Sequence, residues 1–133
     1  MTSGKTFLHI AGVILIAYGG IGIVSSAWSL VTADGILWSI HYASVLASSF
    51  FYIFVGIVGI LNRTCLEKAS ILRALGGVVI GSVVFSALFR AVLLANTLGG
   101  LVVLHVVITL VYGLVIPVTY TIGAQKNLKD YTP

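Results

Sequence analysis

The chain has 133 residues, of which 59% are apolar and 8% charged, with a mean hydropathy of +1.18. A soluble domain carries about 25% charged residues, so seven basic and three acidic side chains exclude a water-covered surface, and the lone Cys65 excludes an intramolecular disulfide, a cysteine-pair redox centre or a cysteine-rich zinc site. The net charge of +4 does not mark nucleic-acid binding, because the basic residues form no patch and fall at the borders of apolar runs.

About 20 apolar residues cross a hydrocarbon core about 30 Å thick. Four stretches qualify: 7–31, 36–61, 71–95 and 98–122. Unbroken runs without period-2 alternation predict helices rather than barrel strands. In lipid, backbone groups must be satisfied inside each segment, which selects helices again. The first stretch is too long for the apolar region of a cleavable signal. It carries Tyr18, Gly22, Ser25 and Ser29 at helical spacing. Thr32-Ala33-Asp34-Gly35 follows, with Asp34 placed to cap the second helix. That helix puts His41, Ser44, Ser48, Tyr52, Gly56 and Gly59 on one face.

Thr64-Cys65-Leu66-Glu67 has the form of a capping box, so the third helix is expected to start near Cys65, a structural thiol. Ser82, Ser86 and Arg90 share a face of that helix, and Gly77 and Gly81 form a GxxxG expected to pack within the bundle. The same motif would serve a homo-oligomer through the third helix. After Asn96-Thr97, the fourth stretch carries His105, Thr109, Tyr112 and Gly113. Pro117 lacks an amide and is expected to kink this helix. Residues 123–133 read as a short cytosolic tail.

Short connections make consecutive helices antiparallel neighbours. The expected fold is therefore all-α: a single-domain, antiparallel up-down four-helix transmembrane bundle. Lys5, Arg63, Lys68, Arg73, Lys126 and Lys129 lie at the two termini and around the second connection. By the positive-inside rule both termini are cytosolic, in a multi-pass protein of the cell membrane. Residues 6–12 align with 70–76, and Val55-Gly56-Ile57 with Tyr112-Gly113-Leu114, as a two-hairpin repeat running in one direction.

Depth singles out one group. His41, Arg90 and His105 lie about four to seven residues inside the outer helix ends, roughly 6–10 Å. Ser48, Ser86 and Thr109 come next, with Tyr52 and Tyr112 near the midplane. Ionisable groups inside spans mark sites. These eight residues are expected to line an outward-facing pocket for a small anionic solute or lipid headgroup, with Arg90 meeting the charge. Arg90 could instead snorkel or pair with Asp34. Two other readings stay open: a structural or accessory subunit without ligand, and a haem protein ligated by His41 and His105. No catalytic, cofactor or metal motif is present, so no cofactor is expected. The expected partners are the bilayer and a small anion or lipid, with no nucleic acid.

Residues 55–62, Glu67-Lys68-Ala69 and the ending Ile116-Pro117-Val118-Thr119-Tyr120-Thr121-Ile122-Gly123-Ala124-Gln125-Lys126-Asn127 resemble small uncharacterised four-span bacterial membrane proteins. The resemblance implies the four-span fold and no particular activity. Better-known four-span families fit worse. The first span has no acid, as small multidrug transporters require, and the short first loop has none of the cysteines of claudin-like proteins.

Overall fold

The computed structural model describes residues 3–131, which form four long helices joined by short connections. They are α1 (Gly4–Thr32), α2 (Ile36–Leu61), α3 (Ala69–Leu98) and α4 (Leu101–Tyr131), with a single 3-10 turn at Leu66–Lys68. Each helix, with the turn counted onto α3, is long and apolar enough to cross a membrane. The architecture is that of a multi-pass membrane protein. Its outside is apolar, with Val24, Val31, Ile36, Val92 and Val103 exposed. Lipid tails are as apolar as leucine, so close packing, not hydrophobicity, must hold such helices together.

Glycines supply that packing. A Cβ on Gly56 would meet the Gly12 carbonyl at 2.6 Å, and one on Gly12 would meet the Gly56 carbonyl at 2.9 Å. The α1 and α2 backbones therefore touch. Further along the same seam, Gly19 faces Ser49 and Ile53. Gly76 of α3 faces Thr121 and Tyr120, Gly59 faces the Tyr120 ring, and Gly123 packs on the start of α1. These contacts surround a core of Leu8, Ala11, Leu15, Val55, Leu72, Val79, Tyr120 and Ala124, all at the end of the bundle that holds the termini. The α1–α2 and α3–α4 pairs pack most extensively, and the α2–α3 pair packs least of the four neighbouring pairs.

Gly77 and Gly81, by contrast, are exposed, and a Cβ on either meets nothing. The expectation that this GxxxG packs inside the bundle is overturned; Gly76, one residue earlier, makes the close contact.

The helix ends differ from expectation in four places. Asp34 makes no cap: Gly35, at φ 94°, stands at the N-cap, and its carbonyl accepts from the amide and hydroxyl of Ser39. The Thr64–Glu67 capping box does not form, because backbone bonds from Cys65 to Asn62 and from Lys68 to Cys65 already close this turn. Asn96 and Thr97 are not a connection. The helix runs on to Leu98 and stops at Gly99, whose φ of 56° suits glycine and ends the helix.

The expected tail is helical to Tyr131, with Gly123, Ala124 and Asn127 buried; residues 132 and 133 lie outside the described residues. The tail is held because Gly123 admits α1, and because the Asn127 amide donates to the Arg63 carbonyl at 2.8 Å.

One offset relates the two hairpins. Leu8 and Leu72 are both fully buried, Gly12 and Gly76 both face a partner helix, and Gly35 and Gly99 are the two positive-φ glycines among the described residues. His41 and His105 and then Gly59 and Gly123 continue the series, as do Arg63 and Asn127, bonded to each other across 64 positions. In this register Gly56 answers to Tyr120, so the alignment of residues 55–57 with 112–114 was out of step.

Candidate functional site

Away from the core, where α2 and α3 pack least, the helices frame a partly open cavity of about 230 Å³. All four helices contribute. From α2 come His41, Val45, Ser48, Ser49 and Tyr52, and from α3 come Val83, Ser86, Ala87 and Arg90. Those spacings of three and four residues are one face of a helix. Tyr18 of α1 and Thr109 and Gly113 of α4 complete the wall.

Six of the eight expected site residues are thus brought together: His41, Arg90, Ser48, Ser86, Thr109 and Tyr52. Two are not. Tyr112 points outward, 73% exposed, because the neighbouring Gly113 holds the inward position on α4. His105 does not line the cavity, although its Nε2 is buried without a hydrogen-bond partner. The cavity therefore presents one imidazole rather than the facing pair a bis-His haem would use. A helical face through His41, Ser44, Ser48 and Tyr52 leaves out Ser49, which also lines the cavity. A face through His41, Val45, Ser48, Ser49 and Tyr52 would have found it.

Several polar groups here make no hydrogen bond among the described residues. Hydroxyls in apolar helices ordinarily bond back to a carbonyl one turn earlier. Ser26, Ser44, Ser49, Thr119 and Thr121 all do so. Ser48, Ser86, Thr109 and Tyr52 make no such bond among the described residues.

His41 is 2% exposed and its Nδ1 has no partner. Its ring is clamped: stacked on Phe89 with centroids 5.6 Å apart and edge-on to Trp38 at 5.9 Å. Buried polar atoms are nearly always paired, so each orphan needs an explanation.

Arg90 is exposed on the cavity wall and forms no ion pair among the described residues. Asp34 lines a different cavity with Ser29, Thr32, Ala33, Trp38 and Tyr42. The alternative pairing of Arg90 with Asp34 is absent. Gly113 adds a backbone feature: Pro117 has no amide to offer the carbonyl one turn earlier, which belongs to Gly113. Among the described residues no group of three His, Cys, Asp or Glu side chains could hold a metal ion.

Comparison with known protein families, with curated proteins and with solved structures finds no match.

Proposed function

We propose that the protein is an antiparallel up-down bundle of the cell membrane, with both termini cytosolic, that binds a small anion in this cavity. The anion is a free solute or a lipid headgroup. The observation that carries the reading is the uncommitted polar set around one cavity: the Arg90 guanidinium and the hydroxyls of Ser48, Ser86, Thr109 and Tyr52, with the buried, orphaned His41 Nδ1 behind them. An anion entering here gains a charge-assisted bond from Arg90 and donors from the hydroxyls. The Val45, Val83 and Ala87 surfaces beside them suit an apolar tail. Any self-association through the third helix would use the open face of Gly77 and Gly81.

Arg90→Ala should abolish thermal stabilisation by an added anion, such as a short-chain alkyl phosphate or a fatty acid, while leaving the bundle folded. Arg90→Lys should retain part of it, since an ammonium lacks the planar fork of a guanidinium. Asp34→Asn should respond like the wild type. Equal responses in all four proteins would make Arg90 a structural residue and leave the subunit reading, without ligand, in its place.

The orientation is supported by the six basic residues near the termini and the 62–70 connection. Single cysteines introduced at Lys5 and at Lys129, in a Cys65→Ser background, should resist a membrane-impermeant maleimide in intact cells and react after lysis. Labelling of either from outside reverses the topology.

A further inference from the structure

At the opposite end of the bundle from Arg90, Lys5, Thr6, His9 and Arg63 line a second cavity of about 190 Å³. It joins the first turns of α1 to the second residue beyond α2, the level at which the apolar spans give way to polar residues. Arg63 is fixed from two sides. Its carbonyl accepts from Asn127 Nδ2 at 2.8 Å, and its Nη1 donates to His9 Nδ1 at 2.9 Å. A guanidinium only donates, so His9 Nδ1 is the acceptor and its Nε2 keeps the proton.

The cavity therefore offers several donors: the Lys5 ammonium, the remaining Arg63 N–H groups and His9 Nε2–H, beside a Thr6 hydroxyl that is bonded to the Ser3 hydroxyl at 3.3 Å. No carboxylate lines it, and neither Lys5 nor Arg63 has an ion-pair partner among the described residues. Glu67 and Asp130 lie on the same end but outside the cavity.

The Lys5 ammonium and the Arg63 guanidinium facing one space repel each other, and an anion between them relieves that repulsion. We infer that this cavity holds the phosphodiester of an anionic lipid in the leaflet at the terminal end. A phosphate accepts the fork of an arginine in bidentate fashion and a lysine as a point charge, and basic pockets between membrane helices hold anionic headgroups in this way. The preformed Arg63–His9 bond keeps the guanidinium in place before the lipid arrives. The inference is independent of the Arg90 cavity.

The test uses the full chain in detergent micelles doped with phosphatidylglycerol or phosphatidylcholine, read by native mass spectrometry, with a parallel arm of inorganic phosphate read by thermal stability. Wild type should retain phosphatidylglycerol over phosphatidylcholine. Lys5→Gln and Arg63→Gln should each cut that retention about tenfold, the size of one lost hydrogen bond to a charged group. Lys129→Gln, an equal loss of charge outside the cavity, should leave it unchanged. If Arg63→Gln does not fold, Lys5→Gln decides, since Lys5 is exposed in the first turn of α1. Unchanged retention in the cavity variants, or an equal fall in Lys129→Gln, overturns the site. Stabilisation by inorganic phosphate without preference for phosphatidylglycerol overturns the lipid assignment in favour of the free anion.

Discussion

Replacing Gly56 by Val is expected to lower the thermal stability of the bundle sharply. The atom in the way is a backbone oxygen, the Gly12 carbonyl, 2.6 Å from where the new Cβ would stand. A flexible side chain can turn aside, but two helix backbones in contact can only move apart. Separating them also costs the Gly12 contact with Ile60 and the Gly56 contact with Ile16. Overpacking in a close-packed interior costs roughly 1–3 kcal/mol, and a rigid obstacle on both sides of the seam puts Gly56→Val at the upper end. Gly77→Val makes the same chemical change where a Cβ meets nothing. It should stay within about 0.5 kcal/mol of wild type. Unfolding followed by circular dichroism in one detergent measures both, and equal losses would show that the seam is not tight.

Tyr120→Ala should rank beside it. Tyr120 is fully buried, its ring lies on Gly59, and its hydroxyl donates to the Val55 carbonyl at 3.0 Å, tying α4 to α2. Removing the ring leaves a cavity in the core and the α2 contact unmade, a loss of roughly 3 kcal/mol by analogy with aromatic truncations elsewhere. Tyr120→Phe separates the two parts. It keeps the ring and loses only the hydrogen bond, and interhelical bonds in membranes average about 0.6 kcal/mol. A Phe variant as unstable as the Ala variant would mean that the hydroxyl, and not the ring, holds α4 in place.

Much of this molecule was legible in its sequence because two strong rules apply. Hydrophobic length fixed the four helices, and α2 matched its expected limits, 36–61. Periodicity brought six of eight site residues to one cavity, since residues three and four apart on a helix must share a side. The failures have local causes. Cap motifs such as Thr64–Glu67 compete with backbone turns whose closure a sequence does not display. Gly76 and Gly77 are equivalent as letters, and only the rotation of α3 decides which of them meets α4. The buried Gly123 and Asn127 looked like tail residues because their partners, near Gly4 and Arg63, are distant in the chain. Arg63 and His9 sit 54 positions apart and carry no motif, so the second cavity had no signal to read.

The common offset of the two hairpins has a consequence for how a charged site can exist in so apolar a bundle. A pair of identical hairpins would present every residue twice, so an arginine facing the interior would meet its own copy and repel it. Joined in one chain, the halves differ at most positions while Gly12 and Gly76, and Gly59 and Gly123, keep a close helix contact in each. Arg90 answers to Ser26, whose hydroxyl is spent on the Gly22 carbonyl, and Ser49 answers to Gly113. Among the positions that differ are Arg90 and the hydroxyls of Ser48, Ser86, Thr109 and Tyr52, so the cavity holds one guanidinium and not two. A single chain whose two hairpins share a few anchoring positions thus carries a lone cation that an exact two-fold copy would duplicate.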